Sequence, residues 1–334
     1  MSLLSKVRPD KFTAALIGTV VLASLLPVQG ESAHIFGIAT QIGVAALFFL
    51  HGVNLSREAI TAGLGHWRLH LLVLLSTFVL FPLLGLAVRL LPASILSAPL
   101  ATGILYLCCL PSTVQSSIAF TSIARGNVPA AICSASLSNL LGVFVTPFMV
   151  SLLIHANGTV TLDSVEAIVL QILVPFCIGL MLHTRLGAWA KRNKPTLGIV
   201  DRGSILMVVY GAFSEAVIRG LWTQTPLESL GVMTALNFVL LGLVLWATNR
   251  LGHAVKFNTE DRITLVFCGS KKSLASGVPM ANILFPAAMV GPIVLPLMLF
   301  HQIQLMACAY LARRFALRAE SGAAARQSRP PLAA

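Results

Sequence analysis

Charge is scarce in this chain: Asp, Glu, Lys and Arg make up 10% of it, and the acidic residues number 11. A soluble domain of this length needs a polar surface that such a composition does not supply. The six cysteines show no CxxC and no ligand-like spacing, which argues against a disulfide framework and a cysteine-built metal site. Cys108-Cys109 is a vicinal pair read as packing. Long polar stretches are also missing, so no soluble second domain is expected.

What is present is apolar. Hydrophobic residues make up 57% of the chain, and mean hydropathy is +0.88. Windows of about twenty apolar residues recur, the length a bilayer core of roughly 30 Å demands of each helix. Ten are expected, near 12–29, 34–54, 68–91, 97–123, 127–155, 164–184, 199–219, 230–250, 260–285 and 288–312. The first, with its basic start, has the look of a signal peptide, but no convincing small-x-small cleavage site follows and it is expected to remain a span.

The net charge of +12 would suit nucleic acid if it were clustered. It is instead sorted by side. With both termini inside, only Arg89 and Arg219 fall in outer segments, Lys271 and Lys272 fall within a span, and every other Lys and Arg is inner. That is the positive-inside pattern of a multi-pass protein of the cytoplasmic (inner) membrane. The expected partners are therefore the bilayer and a small solute rather than nucleic acid, in a monomer or a homodimer.

Five spans precede the outer loop at 155–158 and five follow it, so two halves of odd span number must lie in opposite orientations. The expected fold is an all-α polytopic membrane protein, a 5+5 inverted repeat. Residues 1–157 form the first repeat, 158–315 the second, and 316–334 a disordered cytoplasmic tail. The fourth span of each half is its most polar. One carries Leu110-Pro111-Ser112-Thr113-Val114-Gln115-Ser116-Ser117, the other Gly269-Ser270-Lys271-Lys272-Ser273. Helix breakers with polar side chains are tolerated at membrane depth only where the freed backbone is buried or lines water. Two matching breaks in two inverted halves point to a shared central site.

Around the first break the order is Cys108-Cys109-Leu110-Pro111-Ser112-Thr113, then Ala124-Arg125-Gly126-Asn127-Val128, Ser134 through Ser138-Asn139, and Thr146-Pro147. The chain resembles the bile acid:sodium symporter superfamily (solute carrier family ten), in the branch of member seven and its bacterial relatives. The resemblance implies ten helices, with a panel of spans one, two, six and seven beside a core in which two broken helices cross, and alternating access between them. It also implies sodium symport of an organic anion, bile-acid-like or another amphipathic carboxylate.

The sequence departs from that pattern where sodium would bind. Ser116-Ser117 stands nearest the family's Ser-Asn pair, and Ala131 and Ala135 fall on its hydroxyl positions. Val266 falls on its Glu, and Ser270-Lys271 on its Gln-Asn. The carboxylate that compensates sodium is missing and cations stand nearby. Sodium-independent or proton-coupled transport, with Lys271 or Lys272 replacing the ion, is thus the alternative to symport. A charge at bilayer mid-depth costs roughly 2.5–3.5 kcal/mol on insertion scales and usually serves a purpose. Around a break, one lysine is expected to enter the crossing and the other the cytoplasmic mouth, with interfacial snorkelling as the bland alternative.

Ser112, Thr113, Gln115, Ser116 and Ser117 are the candidate substrate or ion ligands at the first break, with Ser270, Lys271, Lys272 and Ser273 at the second. Ser134, Ser138 and Asn139 are candidates on the helix between. Glu215 and His51 are candidate proton carriers, each weighed against a packing role. Two other classes remain open. Ser270-Lys271 as a Ser-Lys hydrolase dyad is opposed by its adjacency and by the lack of an oxyanion hole. A membrane sensor on the same scaffold would differ from a transporter by showing no substrate flux. No cofactor is expected beyond a sodium ion.

Overall fold

The computed structural model describes residues 11–54, 66–154, 169–220 and 227–327. Every regular element among them is helical. In chain order these are α1 (Lys11–Leu25), α2 (Gly30–Val53), α3 (Trp67–Arg89), α4 (Ala98–Cys109), α5 (Gln115–Ile123) and α6 (Val128–Leu153). There follow α7 (Val169–Met181), α8 (His183–Arg192), α9 (Lys194–Ile218), α10 (Leu227–Ala254), α11 (Thr259–Gly269), α12 (Leu274–Leu284) and α13 (Ala287–Gln327). Six of the described helices are long and apolar enough to cross a membrane, or up to seven if α7 and α8, bent by 91°, form one span. This is a multi-pass membrane protein.

Each expected window falls on a helix or a pair of half-helices. The halves α4, α5, α11 and α12 are each too short to span alone, as is α1 at 15 residues, so length gives six or seven spans among the described residues against the expected ten. The last helix runs on to Gln327, past the 316 boundary of the expected tail, because Ala, Arg and Glu carry helix propensity on their own.

The first break is local in origin. Pro111 has no N–H and disfavours helical geometry in the residue before it, and Leu110 is accordingly extended (φ −77°, ψ 155°). The second break contains no proline. Ser273 turns extended, and its hydroxyl caps α12 by accepting from the Ser276 N–H at 3.2 Å. Its own N–H donates to Pro111 O at 2.9 Å, so each break helps to hold the other.

The starts of α6 and α11 are tied in a similar way. Asn127 caps α6 through Ala130 N and donates from Nδ2 to Asp261 Oδ1 at 2.8 Å, while Asn258 caps α11 through Asp261 N. The Arg125-Gly126-Asn127 run is thus a turn locked onto the foot of α11. Arg125 sits there in left-handed geometry at φ 59°.

Helices α1, α2, α7 and α9 pack on one another, and α9 also meets α12 and α13. The tightest approach is between α2 and α7. A Cβ on Gly52 would strike Phe176 O, and one on Gly179 would strike Phe49 O, so two backbones touch through reciprocal glycines. Gly179→Ala should therefore lower thermal stability by about 1–3 kcal/mol, the usual range for overpacking. Detergent-solubilised melting of the variant beside wild type checks it, and an unchanged midpoint would refute the contact.

Candidate functional site: the crossing of two broken helices

Breaking a helix inside a dry protein frees carbonyls that must find donors. At the end of α4 nearly every one is met by a distant residue. The Lys272 ammonium donates to Cys108 O at 2.7 Å and to Leu110 O at 2.7 Å. Thr146 Oγ1 donates to Cys109 O at 2.8 Å. At the end of α11 the donors are hydroxyls. Ser117 reaches Phe267 O at 3.2 Å, Ser112 reaches Cys268 O at 2.6 Å, and Ser76 reaches Gly269 O at 2.8 Å.

Lys272 is wholly buried and uses all three of its donors. The third goes to Thr77 O at 2.8 Å. Thr77 lies in a π-helical turn, Ser76–Leu80, whose wider winding disturbs the carbonyl ladder of α3 where the ammonium arrives. The face of Phe81 stands 4.2 Å from Nζ. The backbone of Lys272 is gripped as well, its N–H donating to Gln304 Oε1 and its carbonyl accepting from Gln304 Nε2, both at 2.9 Å.

Lys271 is equally buried but differently held. Its ammonium donates to Ser116 O at 2.8 Å and lies 3.9 Å over Phe120 and 5.6 Å from Phe267. Neither ammonium has a carboxylate within ion-pair distance among the described residues; the pairs found are His51–Asp201 and Glu215–Arg219. The half-helix C-termini supply the compensating negative potential.

Ser112, Thr113, Ser116, Ser117, Ser138 and Asn139 all join this network. Thr113 and Ser116 hydroxyls are 2.6 Å apart, Ser138 Oγ accepts from Ser112 N at 3.0 Å, and Asn139 Oδ1 accepts from Ser276 Oγ at 3.0 Å. Ser273 is a cap rather than a free ligand. Ser270 Oγ is buried with no hydrogen-bond partner by distance and angle among the described residues.

Other expectations need correction. Both lysines are fully buried, so neither occupies an open mouth: the chain turns enough at the break to send both inward. Gln115, the first residue of α5, is exposed, and no hydrogen bond joins it to this network among the described residues. Ser134 faces away too, its hydroxyl 2.7 Å from His70 Nδ1. Glu215 does not reach the crossing, being paired with Arg219 at 2.7 Å near the end of α9. His51 meets Asp201 across the α2–α9 interface at 3.7 Å. Gln304, Thr77 and Ser76 are not among the expected site residues, and Thr146 enters only in the run that carries the resemblance, although polar residues inside the apolar windows 68–91, 127–155 and 288–312 are a signal.

A profile of the SBF-like CPA transporter family matches residues 10–317. An uncharacterised protein of Pseudomonas aeruginosa is 58% identical over 324 residues, covering 96% of this chain and 97% of the relative. YfeH of Escherichia coli (strain K12), whose name proposes a symporter, is 50% identical over 320 residues and 96% of each chain. Sodium/bile acid cotransporter 7 of Rattus norvegicus is 29% identical over 317 residues and 92% of each chain.

Removing the Lys272 ammonium should orphan three carbonyls at about 1 kcal/mol each. Lys272→Met is therefore expected to lose about 3 kcal/mol of stability, and Lys271→Met clearly less, with one carbonyl freed. Paired thermal melts check the order, and equal losses would contradict the division between the two lysines.

Proposed function

The chain belongs to the SBF-like CPA transporter family, and from that premise we propose that it moves an organic anion by alternating access, with Lys272 in place of a coupling sodium ion. In this reading the fold is a ten-span inverted repeat in the cytoplasmic membrane, both termini inside. The panel α1, α2, α7 and α9 moves against a core built on the crossing. Family and relatives are transporters, not enzymes.

One observation carries the fixed-cation reading: an ammonium held by three carbonyl oxygens at 2.7–2.8 Å where two broken helices meet. Rings of backbone carbonyls are what a dehydrated alkali ion takes as ligands. A second unit charge 4 Å away would be opposed by about 4 kcal/mol at an effective dielectric of 20. That is enough to reduce sodium occupancy by about three orders of magnitude. The three carbonyls are occupied, and no carboxylate among the described residues stands by to offset the repulsion. Lys271, with one hydrogen bond and two aromatic rings, adds positive potential that favours an anionic substrate.

Uptake of a labelled bile acid, with a panel of other organic anions, into proteoliposomes is the test. Wild-type uptake should not respond to an imposed sodium gradient and should be lost in Lys272→Met. Sodium-driven accumulation would overturn the fixed-cation reading. Binding without flux would make the protein a sensor on the same scaffold.

A further inference from the structure

Gln304 grips the second break, and a histidine grips Gln304. On the buried side of α13, Gln304 Oε1 accepts from the Lys272 N–H while Nε2 donates to the Lys272 carbonyl. These two contacts fix the orientation of the amide, since a flipped side chain would oppose donor to donor and acceptor to acceptor. The remaining Nε2 hydrogen points at His301 Nδ1, 3.0 Å away. His301 Nδ1 must therefore be an acceptor, so the neutral ring carries its proton on Nε2. The contact is incompatible with an imidazolium, in which both ring nitrogens donate.

We propose that His301 is the proton site that governs the crossing: a proton on Nδ1 removes the acceptor that holds Gln304, and Gln304 loosens its grip on Lys272. This rests on the fixed-cation reading and names the proton as the ion that drives the cycle. The proton arrives from water onto the Nδ1 lone pair and leaves by the same nitrogen, with no covalent chemistry. The two-state element is the Gln304–Lys272 bracket, closed when His301 is neutral and open when it is charged.

Helices α4, α5, α9, α10 and α12 pack against α13, and α3 and α11 meet it through Phe81–Phe300 and Phe267–Phe315. On α3, Arg68 lies over Trp67, His70 meets Ser134 and Arg89 donates to Leu153 O. On α11, Asp261 accepts from Asn127, Arg262 contacts His253, the Cys268 thiol lies near Ala131 O and Glu260 is exposed. Helices α5 and α12 carry no titratable side chain. On α4, Tyr106 donates to Gly277 O, while the Cys108 and Cys109 thiols lie beside the Lys272 ammonium. On α9, Asp201 faces His51, Glu215 pairs with Arg219, Arg202 stacks on Phe12, Tyr210 donates to Leu26 O and Lys194 is exposed. On α10, Glu228 is exposed, Arg250 stacks on Trp246, and His253 contacts Arg262. Through Gln304, His301 is linked to the backbone of Lys272, one amide away.

Hydrogen–deuterium exchange of the full chain in lipid nanodiscs tests this without a substrate. Amides over 269–275 are followed from pH 7.5 to 5.5 and corrected for the intrinsic pH dependence of exchange. The corrected rate should rise on the order of tenfold as a histidine takes up its proton in that interval. His301→Asn, which keeps an acceptor but does not titrate, should give a flat profile. Gln304→Leu should give fast exchange at every pH. A flat wild-type profile, or the same slope in wild type and His301→Asn, would overturn the proposal. Sodium-driven uptake would sink the fixed-cation reading and leave the exchange profile untouched, so the two failures are separable.

Discussion

The arrangement at the crossing follows from one constraint: inside a membrane protein the backbone freed by a broken helix must be satisfied by protein. Two half-helices ending at one point bring a cluster of bare carbonyls and two negative dipole ends together. Hydroxyls from Ser112, Ser117, Ser76 and Thr146 answer the carbonyls that lie at reach of a short side chain. The carbonyls of Thr77, Cys108 and Leu110 converge instead on one point, which a donor with three hydrogens can serve in full. An ammonium is that donor, and Lys272 enters on the chain that forms the opposite break. The charge is thus stabilised by the same defect that it repairs.

Adjacent lysines at a break are led into different surroundings. Lys272 is saturated by oxygen and backed by Phe81, a site whose acceptors match an ammonium. Lys271 rests on Phe120 and Phe267 with a single oxygen, a site whose cation keeps donors in hand. Aromatic faces offset part of the desolvation of a buried ammonium without consuming its hydrogens. Lys272 therefore belongs to the scaffold, while Lys271 donates one hydrogen bond among the described residues.

Much of this was legible in the sequence because the signals are chemical contrasts. Lys271-Lys272 stands out in an apolar run, and Pro111 marks a break by its missing N–H and its effect on Leu110. Ser112, Ser117, Ser138 and Asn139 follow as polar groups within helical reach of that break. What was not legible depends on phase and on distant partners. Gln115 and Ser116 are neighbours, yet the start of α5 turns one outward and the other toward Lys271. Ser134 lies one helical turn before Ser138 and still meets His70, because α3 packs there. Gln304 and Thr77 acquire their importance only from Lys272, 32 and 195 residues away along the chain. No local pattern encodes such a contact.

A fixed cation changes what must drive the cycle. In a carrier that binds sodium, loading and unloading of the ion gives the crossing two energetic states, one compensated and one not. In the proposed reading Lys272 removes that difference, since its ammonium is tethered whether or not the carrier is loaded. Alternation then needs another variable acting on the same breaks. Two are available in that reading among the described residues: an acceptor at Lys271, and a proton at His301 beside Gln304. Both act on the 270–273 segment, one through a side chain and the other through its backbone. Retaining the crossing while exchanging a mobile ion for a tethered one moves control from the centre of the site to its two flanks.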